Sequence, residues 1–320
     1  MNSHCDEKHA LSQELRLDLS ASWSGAIHWD ASMADYCTLR AGGRAEGVAV
    51  ASSRSELETL MRWLRTNKVS WRVIGRGSNV LVQRQGFSGV VIVLGGDFCS
   101  VDFVESRTAE EQVVKVRVGA ACSVARLISW CIQQEIGGLE FMAGIPGTTG
   151  GAIRMNAGAW GSEIGDSVET ISYVDPDGKI HDVSKDRLDF SYRQLCFKDG
   201  SFDNLIIVEA VLRLKPGKQK DIITQCREFQ EMRRAKQPMG VASAGSFFKN
   251  PPGTSAGRLI DDAGLKGIRR GDAMVSPKHA NFIVNTGQAT ADDIVELMRE
   301  VQEKVYRHSG VMLEPEVHLL

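Results

Sequence analysis

The sequence predicts an α+β chain made of two successive α/β units followed by a smaller α+β unit. Three observations predict it. Over residues 47–214, segments with helical spacing of apolar residues alternate with short strand-like runs. Lys215-Pro-Gly-Lys218 then breaks that pattern, and beyond it two long helical patterns flank a single strand-like run. The length of 320 residues suits this division, at roughly 150 residues per domain.

Gly47–Ala51 reads as the first strand. Ser53-Arg-Ser-Glu56 then opens a capping box, and Leu57, Leu60, Met61 and Leu64 share one face of a helix over 53–67. Strands at Trp71–Ile74 and Val90–Leu94 complete a β-α-β-β unit. The strictly alternating 113–118 hands over to a helix over 123–132, whose apolar positions are 124, 127, 128, 131 and 132. Strands follow at 170–174 and 206–214, the first ending in the turn Asp175-Pro-Asp-Gly178. Past the break, a polar helix with a basic end runs from Asp221 to Gln237 and is stopped by Pro238; its basic run reads as a solvated face. A strand at 280–285 precedes a helix over 290–308 that carries Ile294, Leu297, Met298, Val301 and Val305 on one side and ends at Gly310. The expected division is an N-terminal extension at 1–30, a domain over 31–217 with lobes of about 31–98 and 99–217, and a C-terminal domain over 218–320.

With 42% hydrophobic and 24% charged residues, the chain has the composition of a soluble globular protein rather than a disordered one. A formal net charge of −2 gives no pull toward nucleic acid or anionic lipid. The sequence holds no apolar run long enough to span a bilayer, and its polar N-terminal stretch lacks a signal-peptide core; no membrane partner and a cytoplasmic location are expected. The sequence does not fix the oligomeric state, for which a monomer is favoured. Seven cysteines without a C-x-x-C pair read as reduced and mostly buried. Cys5 and His9 have a ligand-like spacing but no second pair to close a tetrahedron, so no metal is expected.

Glycine placement carries the functional signal. Nine glycines fall between Gly137 and Gly165, and Gly75-Arg-Gly-Ser-Asn79 follows a strand directly. Such density costs folding entropy, which a chain tolerates where backbone needs φ > 0 or lies against a ligand. Exposed N–H groups in such loops form nests suited to a pyrophosphate. Neither the G-x-G-x-x-G nor the G-x-x-x-x-G-K-[ST] fingerprint is present, so a dinucleotide here requires a fold other than the doubly wound one.

Six blocks then occur in a recognisable order: Gly75-Arg-Gly-Ser-Asn-Val-Leu-Val82, Gly144-Ile-Pro-Gly-Thr-Thr-Gly-Gly-Ala152, Met155-Asn-Ala-Gly158, Ser191-Tyr-Arg193, Ala244-Gly-Ser-Phe-Phe-Lys-Asn-Pro251 and Leu313-Glu-Pro-Glu-Val317. In order and spacing the chain resembles the UDP-N-acetylenolpyruvoylglucosamine reductase family, in its shorter subtype. The turn Thr38-Leu-Arg-Ala-Gly-Gly43 is similar to the family's first flavin-contacting turn. The resemblance implies an FAD-binding domain of the vanillyl-alcohol-oxidase type, with two α/β lobes, and a C-terminal substrate domain. It further implies that NADPH, as co-substrate, reduces a non-covalent FAD, and that the flavin passes hydride to the enolpyruvyl β-carbon of a UDP-sugar, giving UDP-N-acetylmuramate for peptidoglycan.

Hydride addition to an enol-ether carboxylate builds negative charge on the α-carbon and carboxylate, so the site needs a cation, a proton donor and a group that orients them. The resemblance assigns these roles to Arg193, Ser246 and Glu316, with Ser246 protonating the α-carbon. Glu314 lies on the same side of an extended chain as Glu316, so the residues alone leave the two carboxylates unseparated. Flavin contacts are implied at Gly75, Arg76, Gly77, Ser78, Asn79, Gly144, Ile145, Pro146, Gly147, Gly150, Gly151, Ala152, Asn156 and Gly158, and substrate contacts at Lys236, Asn250, Lys278 and His279, with Asn281 beside them. Two positions depart from the family's habit: Leu195 stands where a serine is usual and Ala242 where a proline is.

Gly253-Thr-Ser-Ala-Gly257 satisfies the G-x-S-x-G pattern of hydrolases. That motif needs a strand immediately before it, which Asn250-Pro-Pro-Gly253 cannot form, so Ser255 reads as a helix N-cap instead. Two other classes compete with the reductase: an idle UDP-sugar or flavin-binding protein, disfavoured by intact Arg193, Ser246 and Glu316, and an FAD oxidoreductase acting on an alcohol, disfavoured by the Gly245–Pro251 block.

Overall fold

The structure is a computed structural model and describes residues 11–104 and 112–320. Cys5 and His9 lie outside the described residues.

Helix α1 (Gln13–Ser22) and strand β1 (Ala26–Ser32) lead into β2 (Arg44–Ala51), helix α2 (Arg54–Thr66), β3 (Trp71–Ile74), the two-residue β4 (Val80–Leu81) and β5 (Phe87–Leu94). The first lobe's sheet has the order β1-β2-β5-β3, with β2, β5 and β3 parallel and β1 antiparallel to β2. α2 starts where Ser53 Oγ accepts from the Glu56 N–H, and it buries Leu57, Leu60, Met61 and Leu64 against this sheet. Leu19 and Trp23 join the same core, and the Trp23 indole N–H donates to the Glu56 carbonyl at 2.9 Å. Residues 11–30 are thus built into the first lobe, where the sequence suggested a separate extension, because β1 completes the sheet edge and α1 covers it.

The second lobe contains β6 (Val101–Phe103), β7 (Val114–Gly119), α3 (Val124–Gln133), β8 (Ile136–Gly137), the short α4 (Thr149–Arg154), the hairpin β9 (Gly158–Ala159) and β10 (Ser162–Glu163), β11 (Val168–Val174), β12 (Ile180–Ser184), the hairpin β13 (Leu188–Ser191) and β14 (Gln194–Phe197), and β15 (Ile206–Pro216). Its sheet runs β12-β11-β15-β7-β6, with β8 on the end of β15, and every pairing is antiparallel. The sequence suggested an α/β unit here. The difference arises because α3 returns to the two-residue β8, antiparallel to β15, rather than crossing to a parallel neighbour.

Helix α5 (Gln219–Lys236) follows. The sequence placed it in the C-terminal domain, yet Ile222 and Cys226 lie in the core of the second lobe. The core of the second lobe therefore continues past Lys215–Lys218 into α5, which Gln237-Pro238 stops.

The C-terminal unit holds β16 (Ala242–Ser243), α6 (Ala256–Asp262), β17 (Arg269–Arg270), β18 (Ala273–Val275), β19 (Ile283–Asn285), α7 (Ala291–Ser309) and β20 (His318–Leu319). Its antiparallel sheet has the order β16-β19-β18-β17, and α7 packs on it through Ile294, Leu297, Met298, Val301 and Val305. α7 has both expected caps: Thr290 and Asp293 form a capping box, and Gly310 takes φ 72°. Ser255 caps α6 by accepting from the Arg258 N–H, as expected for a cap and not a nucleophile. The last strand, β20, leaves this unit and pairs in parallel with β4 of the first lobe. Leu39, Ala41 and Leu81 of the first lobe share the C-terminal core, so the end of the chain is held where all three parts meet.

Candidate functional site

The two glycine segments face each other across the junction of the lobes. A Cβ on Gly75 would lie 2.5 Å from Thr148 Oγ1, and one on Gly147 would lie 3.0 Å from Ser78 Oγ. Ser78 Oγ also donates to the Pro146 carbonyl at 3.3 Å. Gly77 has φ 60°, and a Cβ there would fall 2.0 Å from the Tyr36 carbonyl oxygen, so only glycine fits. Thr38, in the turn expected to assist, donates its N–H to the Gly77 carbonyl at 3.1 Å. Among the described residues, the backbone N–H groups of Arg76, Gly77 and Ser78 donate to no protein acceptor. Free N–H groups in a glycine cradle are what a pyrophosphate requires, so these residues fit the diphosphate of FAD.

The rest of the second segment divides between cradle and support. Gly144 and Gly147 have φ 85° and 127° and flank Ile145 and Pro146, while Gly150, Gly151 and Ala152 lie in α4 behind its N-cap, Thr148. Gly150 lets α4 sit on the second lobe, since a Cβ there would be 2.7 Å from that of Ala120. Gly158 begins the β9–β10 hairpin. Asn156, expected to meet the cofactor, is engaged with protein groups in this structure. It is buried, its Nδ2 donates to the Ser191 carbonyl at 3.0 Å, and its Oδ1 accepts from the Gly165 N–H at 3.1 Å.

Asn156 therefore braces the β13–β14 hairpin, whose two-residue turn is Tyr192-Arg193. Arg193 takes φ 59° there, a conformation that costs a non-glycine residue energy and that here aims its side chain out of the hairpin. Its Nε donates to Glu316 Oε1 at 2.6 Å, with side-chain exposures of 21% and 11%. Burial pushes the Glu316 carboxyl above the ordinary carboxylate range, and the Arg193 charge opposes that rise. Glu314, by contrast, points to solvent and pairs with Lys249. The structure thus separates the two carboxylates that sequence spacing left equivalent.

Ser246 follows Gly245 (φ 76°) on a segment held from both sides. The Phe247 N–H donates to the Asn281 carbonyl, and the Asn281 carboxamide pairs with both the N–H and the carbonyl of Phe248. On the other side, the Glu316 N–H donates to the Phe247 carbonyl at 2.8 Å. Asn281 is therefore a buried brace for the serine's segment. The Ser246 hydroxyl is half-buried and has no hydrogen-bond partner among the described residues. The segment carrying Glu316 is tied to the glycine cradle as well, since Asn79 Nδ2 donates to the Glu316 carbonyl at 3.0 Å and the His318 N–H to the Asn79 carbonyl at 3.0 Å.

Lys236 lies exposed at the end of α5 with Nζ 5.4 Å from the Trp160 ring centre. Asn250 is exposed; its Oδ1 accepts from the Ala256 N–H, and its own N–H donates to Tyr192 Oη. Lys278 donates to the Arg234 carbonyl at the end of α5, a helix-end contact. His279 stacks edge-on against Phe282, and its Nδ1 accepts from the Asn281 N–H; burial lowers its pKa. Lys278 thus contacts the end of α5 and His279 the Asn281 brace.

Sequence reasoning missed Arg233. Within the basic run it turns inward and is buried, its Nε donating to the Ala143 carbonyl and Nη2 to the Phe141 carbonyl, both at 3.1 Å. Burial and the nearby Arg193 charge lower its pKa. It supports the chain leading to Gly144, and only the helical phase of that run could have signalled it. His318 was also missed: its Nε2 lies 3.1 Å from Met155 Sδ, where the last strand passes the second glycine segment. A cleft of about 390 Å³ at the start of α2, lined by Arg54, Asp97, Phe98, Gly119 and Glu209, contains none of the expected site residues.

Among the described residues, no group of His, Cys, Asp or Glu is placed to hold a metal, and no helix is long and apolar enough to cross a membrane. The described cysteines are all free thiols, and burial pushes those of Cys37 and Cys122 up to about 11.

Comparison with known proteins shows what the chain is similar to. Residues 45–184 match the family model described as FAD binding domain, and residues 237–320 match that of the UDP-N-acetylenolpyruvoylglucosamine reductase C-terminal domain. A UDP-N-acetylenolpyruvoylglucosamine reductase of Syntrophus aciditrophicus is 38% identical over 306 residues, covering 96% of each chain. One from Pelobacter propionicus is 40% identical over 296 residues, 92% of this chain and 96% of the relative. The crystal structure of the Thermus caldophilus reductase aligns with a TM-score of 0.76 at 36% identity, over 92% of this chain and 98% of that one.

Proposed function

This chain belongs to the UDP-N-acetylenolpyruvoylglucosamine reductase family, and on that premise we propose how its own residues carry the family's reaction. The protein is an FAD-dependent oxidoreductase that uses NADPH to reduce the enolpyruvyl group of UDP-N-acetylglucosamine enolpyruvate, giving UDP-N-acetylmuramate for peptidoglycan. FAD, when bound, supplies the hydride that it has taken from NADPH.

The cofactor lies in the cradle formed by Gly75–Asn79 and Gly144–Ala152, with free N–H groups toward its diphosphate. Arg193 holds the substrate carboxylate. Its Nε is engaged by Glu316 at 2.6 Å, which fixes the plane of the guanidinium and leaves the two terminal nitrogens to form a fork. As hydride arrives at the β-carbon, charge gathers on the α-carbon and carboxylate, and this fixed cation stabilises it without reorganising. Ser246 Oγ donates the proton to the α-carbon. A hydroxyl is a weak acid, but a carbanion-like acceptor is a strong base, and no protein partner competes for the hydroxyl among the described residues. Glu316 orients Arg193 and relays the proton. Lys236, at the end of α5, and Asn250, from the C-terminal unit, face the sugar diphosphate, and we draw the boundary of that unit after α5. A cytoplasmic location follows from the reading, since the cytoplasm supplies both NADPH and UDP-linked sugars.

The observation that carries this assignment is the Arg193–Glu316 pair, a partly buried contact across 123 residues of sequence that joins the second lobe to the C-terminal unit. Ser246→Ala tests it. The variant is expected to let NADPH bleach the flavin at the wild-type rate, while reoxidation by the enolpyruvyl substrate slows by about 10² to 10⁴. Equal slowing of both half-reactions would remove Ser246 from the proton-donor role.

A further inference from the structure

Tyr192 has no assigned role, yet it touches both Arg193 and the segment that carries Ser246. It forms the first half of the turn that presents Arg193, and the Arg193 guanidinium carbon lies 5.1 Å from the Tyr192 ring centre. Its phenol oxygen accepts from the Asn250 N–H at 3.3 Å, four residues after Ser246. The ring is 48% exposed, so it does not serve as core filling.

We infer that Tyr192 is a positioning residue that ties the placement of Arg193 to the seating of the C-terminal unit. The inference rests on the role proposed for Arg193 and deepens it. Glu316 grips Arg193 through Nε alone, an anchor that still permits the guanidinium to swing about that bond. A ring against the guanidinium face removes much of that swing. Because the same ring is tethered to Asn250, the arginine is oriented only while the segment carrying Ser246 is in place. The cation and the proton donor are thereby brought into register with each other, although they come from different parts of the fold. Register matters, because a group misplaced by about 1 Å can cost about a hundredfold in rate.

Loss of this support also has an electrostatic signature. Burial raises the Glu316 pKa and the Arg193 charge restrains it. An arginine that drifts away therefore lets the Glu316 pKa rise, moving the acid limb of the reoxidation pH profile to higher pH.

The test compares the wild type with Tyr192→Leu, Tyr192→Gln and Arg193→Ala, each loaded with FAD, reduced by NADPH and then mixed with the enolpyruvyl substrate across a pH series. Tyr192→Leu is expected to slow reoxidation by about 10- to 100-fold and to shift the acid limb upward, while NADPH bleaches the flavin at close to the wild-type rate. Tyr192→Gln keeps an acceptor for Asn250 but lacks the ring, and it is expected to shift the limb in the same direction; it also serves if the leucine variant does not fold. Tyr192→Phe keeps the ring but lacks the oxygen that meets Asn250, and it is expected to hold the limb near its wild-type position while still slowing reoxidation, because the cation stays oriented but its tie to the Ser246 segment is cut; wild-type reoxidation by Tyr192→Phe would overturn the tie. Wild-type reoxidation with an unshifted limb in both ring-less variants, while Arg193→Ala is impaired, would overturn the Tyr192 role and leave the Arg193 reading standing. Wild-type reoxidation by Arg193→Ala would overturn both.

Discussion

Glu314 and Glu316 differ by two positions and have opposite surroundings. Side-chain exposures of 69% and 11% make the first a solvated partner of Lys249 and the second a mostly buried partner of Arg193. Glu316→Gln is therefore expected to slow substrate-driven reoxidation by about 10² or more, whereas Glu314→Gln leaves it near wild type; stopped-flow absorbance of the flavin reads both. Gly77 gives a sharper steric prediction. Alanine there meets the Tyr36 carbonyl at 2.0 Å and must adopt φ 60°. Gly77→Ala should purify with far less bound flavin than the wild type, measured as the visible to near-ultraviolet absorbance ratio. His279 sets a pH dependence of stability. Its pKa is lowered from 6.5, so as pH falls below 6.5 the unfolded chain takes up the proton first, and the stability present above that pH is lost on acidification. Protonating Nδ1 would also end its acceptance from the Asn281 N–H. The melting temperature of the wild type should fall more steeply below pH 6.5 than that of His279→Asn, and parallel curves would exclude this contribution.

Local signals sufficed for elements whose stabilising contacts lie close in sequence. The capping box and apolar spacing of 53–67 yield α2, and Thr290, Asp293 and Gly310 mark both ends of α7. Thr290→Ala should lower stability by about 1 kcal/mol through loss of that cap, read as a lower urea midpoint with unchanged slope. Elements whose partners are distant were less legible. Nothing within 219–236 says that Ile222 and Cys226 bury against strands of the second lobe, and the break at Lys215–Lys218 resembles a boundary although the core continues past it. The same holds for β1, whose pairing with β2 has no signal within 26–32 itself. The antiparallel second sheet was missed because a strand-helix-strand pattern fixes the spacing of the elements but not the direction in which the last strand returns.

At the scale of the molecule, the site exists only because three separate parts converge. The first lobe supplies Gly75–Asn79, the second supplies Gly144–Ala152 and the hairpin with Arg193, and the C-terminal unit supplies Ser246 and returns β20 to β4, carrying Glu316 with it. Glycine density and the six ordered blocks made the segments of this candidate site legible in the sequence. The division of labour within it was not, because whether Asn156 contacts a ligand or braces Ser191 depends on a hydrogen bond across 35 residues. Arg233 illustrates the same limit, since its acceptors lie about 90 residues earlier in the chain.

The central claim is that this convergent site holds FAD and couples oxidation of NADPH to reduction of an enolpyruvyl UDP-sugar. The most direct test is the anaerobic visible spectrum of the purified protein, recorded alone, after NADPH, and after subsequent addition of the enolpyruvyl UDP-sugar. Flavin bands that bleach with NADPH and return on addition of that substrate are the predicted result. A colourless protein that cannot be reconstituted with FAD, or a bleached flavin that the substrate fails to reoxidise, would contradict it.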